Sequence, residues 1–173
     1  LEALAGSIGI RRPSLYHHFP GGKEELYTAV ALRMIEADAV RVEKALATPG
    51  GLRPRLIALA MLHSDDPRKV ALDQRIYDST RYVGDETRIL VSTRYVEGLL
   101  DPVNRFMADA VAAGELRDLD PGFLTGTFFG MTEVVQGIPD DVAMPPEHRG
   151  GSRPSVAELA ERVVDLFLQG AAG

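Results

Sequence analysis

Cysteine is absent from the 173 residues. That excludes disulfides and thiolate metal sites, and it is consistent with a reducing cytosol. No run of 18 apolar residues occurs, so no segment reads as a membrane-spanning helix. Histidine is scarce, with only His17, His18, His63 and His148. No Ser/His/Asp order, glycine-rich phosphate loop or paired carboxylate stands out as an active site. Positive charge is also short: 19 Lys and Arg against 25 Asp and Glu give a net charge of −6. The deficit is uneven. Residues 1–47 hold 6 basic and 6 acidic side chains, so the remainder carries the whole of it. A neutral first segment on an acidic body is compatible with a nucleic-acid partner if its bases cluster, as Arg11, Arg12, Lys23 and two histidines do.

What the first segment does contain is a helical pair. Leu1, Leu4, Ala5 and Ile8 recur at i, i+3, i+4 and i+7, one apolar helical face. Ala5 is small enough to let a following helix cross close by. Gly9 stands where the chain must leave that helix in a tight turn, a place for positive φ. Ile10 and Leu15 supply anchors for a second short helix, with Pro13 in its first turn, where a missing N–H does no harm. Two helices joined by a short glycine-containing turn have the geometry of a major-groove reader. A helical hairpin with no nucleic-acid partner satisfies the same spacing. Leu1 lies inside a helical pattern, so an upstream helix is expected before it.

The particular string narrows the choice. Ile10-Arg11-Arg12-Pro13-Ser14-Leu15-Tyr16-His17-His18-Phe19-Pro20, followed by Lys23-Glu24-Glu25-Leu26, resembles the DNA-binding signature of TetR-family transcriptional regulators. The doubled Gly21-Gly22 before Lys23 departs from the commoner single residue. Looser likenesses are the turn Gly114-Glu115-Leu116-Arg117 and the closing Leu166-Phe167-Leu168-Gln169-Gly170. The resemblance implies an all-α, TetR-like fold: a helix-turn-helix head over residues 1–27, its first helix missing, and a regulatory and dimerisation body over 28–173. It further implies a cytoplasmic regulator, often a repressor, acting on double-stranded operator DNA as a homodimer, with no catalytic role, no cofactor and no membrane. On this reading Arg11, Arg12, Ser14 and Tyr16 face the groove and adjoining backbone, with His17 beside them, and His18 and Lys23 sit on phosphates. Phosphate contacts fix register, and only base contacts specify sequence. Rival readings are a DNA-binding protein without an effector and a small all-α enzyme that keeps a similar hairpin.

The rest of the chain reads as helices. Glu24 to Ala47 forms one long helix closed by Pro49-Gly50-Gly51, and Pro54 to Leu62 a short one. Asp66-Pro67 pairs a cap with a proline to open a helix to Tyr77. Residues 80–84 read as a loop, with Asp85 placed to cap the next helix. Glu86 to Ala113 is the longest pattern, and Pro102 inside it demands either a kink or a fresh start. Gly114 closes it. Asp120-Pro121 opens a helix to Gln136, residues 139–154 form a loop, and Ser155 with Glu158 makes a capping box for a last helix ending at Gly170. His63-Ser64-Asp65-Asp66 invites a metal, but the two acids precede Pro67 and are better explained as caps, so no metal site is expected.

Two further expectations concern the body. Leu124, Thr127, Phe128, Met131, Val134 and Val135 form a broad apolar face, with Gly126 and Gly130 on an adjoining strip. Leu159, Ala160, Val163, Leu166 and Phe167 form a second. Burial within one subunit explains both. The resemblance instead implies a four-helix bundle across a two-fold axis, with Leu124, Gly126, Phe128, Gly130, Leu159, Val163 and Phe167 in the interface. It also implies a cavity for a small effector among the body helices, lined by Met61, Tyr77, Tyr95, Phe106, Phe128 and Met131. Core packing accounts for each of these residues singly. Tyr77 and Tyr95 carry hydroxyls that a pure core would not need, which points to a hydrophobic, aromatic effector.

Overall fold

The computed structural model describes residues 17–62, 75–136 and 154–171. Helices make up nearly all of this, and no β-strand occurs among the described residues. The long first helix, α1, spans Lys23–Leu46 and is 24 residues long, about 36 Å at 1.5 Å per residue. Glu24 and Glu25 in its first turn and Lys44 in its last both suit the helix dipole. Its buried residues Ala31, Asp38, Val42 and Ala45 follow one stripe. The division at residue 27 falls inside α1.

Helix α2, Leu52–Ala60, starts after Gly50 and Gly51, both at positive φ. Residues 80–84, expected as loop, begin with a short 3₁₀ turn, Thr80–Tyr82. Helix α3, Asp85–Tyr95, has Gly84 rather than Asp85 as its N-cap residue, and Asp85 belongs to its first turn. Asp101-Pro102 does open a separate α-helix, with Pro102 in its first turn, but no break in the helical path precedes it. A widened π turn, Val96–Leu100, carries α3 directly into α4, Asp101–Ala112, and the Asp101 N–H bonds five residues back to the Val96 carbonyl. The cause is local: Pro102 has no N–H for the Gly98 carbonyl and its ring would crowd that oxygen, so the turn opens by one residue.

Gly98 lies in this turn for a steric reason. A Cβ there would stand 3.3 Å from Ala39 Cβ and 3.7 Å from Ile35 Cγ2, so the turn rests directly on the middle of α1. Gly98→Leu should therefore wedge the two apart and lower stability by about 1–3 kcal/mol. Urea denaturation reads this, and a shift under about 0.5 kcal/mol, the level of an ordinary surface change, would show that the contact is slack.

Two final helices complete the body. Helix α5, Pro121–Gln136, opens as expected, with Asp120 Oδ1 accepting the Phe123 N–H at 2.7 Å. Helix α6, Val156–Ala171, opens on the capping box: Glu158 Oε2 accepts from Ser155 N at 2.7 Å, and Ser155 Oγ accepts from Glu158 N at 3.2 Å. These bonds hold the Glu158 carboxyl below the usual carboxylate range. α6 runs one residue past Gly170, to Ala171.

The core joins these elements around Phe128 and Phe167, whose rings meet edge to face at 5.2 Å. Leu56 and Leu59 of α2, Val103 and Met107 of α4, Leu124 and Val135 of α5, and Val163 and Val164 of α6 surround them. The looser likenesses noted above meet in space. Gly114 ends α4 at φ 73°, and Arg117, just beyond, takes hold of the end of α6. Its N–H donates to the Ala171 carbonyl at 2.8 Å and its guanidinium to the Gly170 carbonyl at 2.9 Å. A cation there answers the negative end of the helix dipole.

Candidate nucleic-acid interface

The described part of the head begins at His17. Arg11, Arg12, Ser14 and Tyr16 lie outside the described residues, as does the helical pair built on Leu1 to Leu15. His17 and His18 are helical and exposed, their rings edge to face at 5.6 Å. The chain then turns sharply: Gly22 donates to the Phe19 carbonyl at 2.9 Å and takes φ 78°, the left-handed conformation that favours glycine. Lys23 follows as the first residue of α1 and is exposed. The turn thus brings the two histidines and Lys23 to one end of α1, all open to solvent.

Two carboxylates next to Lys23 divide their work. Glu25 Oε2 accepts the Gly21 N–H at 2.7 Å and so fastens the turn to the helix. Glu24 Oε1 accepts the Gly84 N–H at 2.9 Å, 60 residues away. One turn further along, the Tyr27 hydroxyl lies 2.7 Å from Thr80 Oγ1 and donates to the Ile76 carbonyl at 3.2 Å. Glu24 and Glu25 belong to the signature string without a role of their own, and Tyr27 does not stand out in the sequence. Glu25 had a local signal, an acid three residues into a helix behind a glycine turn. The partners of Glu24 and Tyr27 are too distant for any local pattern.

The predicted dimer residues divide into two groups. Leu124, Phe128, Val163 and Phe167 are buried inside the single chain, and Leu159 packs half-buried against the same core. They close the subunit rather than lie on an open face, because the two apolar stripes face each other. Gly126 and Gly130 are exposed, and a Cβ on either would meet nothing within 4 Å. Phe123, 60% exposed, and Val134, 55%, share that side of α5, and Leu166 of α6 is 61% exposed. Thr127 is also exposed, so the broad face read from the sequence is in fact two faces of α5.

The predicted effector residues also separate. Phe128 is core, with Met61, Phe106 and Met131 half-buried against it. Tyr77 is 70% exposed and Tyr95 41%, so neither hydroxyl depends on a buried partner. Partial burial, with Tyr77 and Asp38 nearby, pushes the Tyr95 hydroxyl above its ordinary range. A shallow groove along α3 is lined by Glu86, Leu90, Thr93 and Glu97, and none of the six predicted residues lines it. His63, Asp65, Asp66 and most of the helix proposed to start there lie outside the described residues, as does the segment 137–153.

No protein-family model matches the chain, and no curated protein does. Solved structures do. The TetR-family transcriptional regulator PfmR from Thermus thermophilus superposes with a TM-score of 0.65 at 21% identity, over 97% of this chain and 86% of that one. A regulator of the TetR/AcrR family from Thermobifida fusca gives 0.62 at 25% identity, over 98% and 85%. AibR, solved in complex with isovaleryl coenzyme A and operator DNA, gives 0.72 at 18% identity, over 95% and 84%. The fold is that of the TetR-family transcriptional regulators. Among the described residues no helix is long and apolar enough to cross a membrane.

Proposed function

We propose that this chain is a sequence-specific DNA-binding transcriptional regulator. It acts as a homodimer in the cytoplasm, and it is a repressor released from a palindromic operator by a small hydrophobic effector. The observation that carries the reading is the likeness over nearly the whole chain to transcriptional regulators, AibR with operator DNA among them. The head's signature supplies the chemistry: Arg11, Arg12, Ser14 and Tyr16 for groove and backbone, with His17 beside them, and His18 and Lys23 at the end of α1 for phosphates. The exposed strip of Phe123, Gly126, Gly130, Val134 and Leu166 supports a second copy, because small residues let two helices approach closely. Two heads on a two-fold axis match two half-sites. AibR's complex with isovaleryl coenzyme A supports a small-molecule effector, one that carries an apolar acyl group.

The test is selection of genomic fragments by the purified protein, followed by binding titrations at several salt concentrations. A DNA reader gives a steep linear fall of log K with log salt. Lys23→Ala should weaken binding to all fragments about equally and lower the slope by roughly one unit, as loss of one phosphate contact requires. Recovery of no fragment above background, or a flat salt dependence, would remove the reading and leave an enzyme or another binding role.

A further inference from the structure

Three polar contacts tie the start of α1 to one short stretch of the body, residues 76–84, and all of them cross the head–body division. Glu24, in the first turn, accepts the N–H of Gly84, the N-cap residue of α3. Tyr27, in the next turn, places its hydroxyl 2.7 Å from Thr80 Oγ1, and of these two hydroxyls, each 3.2 Å from the Ile76 carbonyl, one donates to the other and the other to that carbonyl. Gly84 has no side chain to spare: a Cβ there would stand 3.0 Å from Glu24 Oε1. On the other side, Glu25 holds Gly21, whose turn leads to His17 and His18. Consecutive acids therefore point opposite ways, one to the head and one to the body.

We infer that Glu24 and Tyr27 are positioning residues, which fix the angle of the head by fastening the first two turns of α1 to residues 76–84. This rests on the DNA-binding reading for its consequence, but not for its geometry. Neither residue needs to touch DNA. A helix clamped at only one place can pivot. Two attachments one turn apart, on different partners, remove that freedom. A charge-assisted bond from a backbone N–H and a shared hydroxyl are directional, so together they specify an orientation where apolar packing alone would allow sliding. The clamp also gives the body a path to the head, since any shift of residues 76–84 is felt at the first turn of α1.

The experiment exploits the absence of native cysteine. Cysteines replace His17 in the head and Thr93 in α3, both exposed, and carry spin labels. Labelled chains are diluted with unlabelled ones so that only distances within one chain are read. Glu24→Ala and Tyr27→Phe should each shift and broaden the distance distribution, the double variant more so, with helix content unchanged by circular dichroism. Glu24→Gln keeps a carbonyl acceptor for Gly84 and should restore the narrow distribution. In unlabelled protein, Glu24→Ala should weaken the best selected fragment about ten-fold, within the usual range of coupling between sites. An unchanged distribution in the double variant overturns the clamp, whatever the DNA result. If the distribution changes but the parent selects no DNA, the clamp holds and the DNA-binding reading fails.

Discussion

Phe128→Ala should cost the subunit about 3–5 kcal/mol, the usual loss when a buried phenylalanine is cut back. The side chain is fully buried, meets the Phe167 ring edge to face, and stands where α4, α5 and α6 converge. Its removal leaves a cavity that α5 cannot fill, because Leu124 and Val135 on the same face are anchored in the same cluster. Against a typical total of about 5–15 kcal/mol, that is a large fraction. Chemical denaturation followed by helix content gives the answer. A loss below about 1 kcal/mol would mean that the ring packs loosely and that the core centre lies elsewhere.

Leu166→Glu should do the reverse, sparing the fold and dissolving the dimer. Leu166 is 61% exposed in the single chain, so a carboxylate there stays hydrated and costs the subunit little. Within a two-fold interface the same charge is buried without a partner, and the charge of the second copy comes close to it. The penalty is several kcal/mol, and at 1.4 kcal/mol per factor of ten it weakens association by at least about a hundred-fold. Sedimentation should show a dimer for the parent and a folded monomer for the variant. A folded monomer should also lose most of its affinity for a palindrome, since it presents one head instead of two. A variant as dimeric as the parent would place the interface on another surface. Phe128→Glu and Phe167→Glu cannot make this distinction, because both positions are core and a charge there would unfold the chain.

Helix starts at Asp120 and Ser155 are legible in the sequence because capping is local: the acceptor and the N–H it serves lie within three residues. The turn ahead of Lys23 is legible for the same reason. The direction in which α5 faces is not. With Phe123, Phe128, Met131 and Val134 distributed round its axis, the helix has no polar side to mark the outside, so periodicity gives no orientation. The widened turn before Pro102 is visible as a problem but not as its solution, because a missing N–H rules out a regular turn without saying which irregular one replaces it. The tyrosines mislead in another way. Tyr77 and Tyr95 sit on the surface, while Tyr27, which no local pattern singles out, makes the long-range contact. A tyrosine's sequence neighbours do not say where its hydroxyl will end up.

The grip of Arg117 on the last carbonyls of α6 bears on how two copies would meet. By joining the approach to α5 with the end of α6, it fixes the two helices that carry the exposed strip against one another before any partner arrives. The ordering that many interfaces must undergo on contact has then already happened during folding, and less entropy remains to be lost. Two such surfaces would dock as rigid faces with little backbone rearrangement. The speed of assembly would follow from how often the faces collide in the right orientation, and the lifetime of the pair from how well Gly126 and Gly130 let the backbones nest.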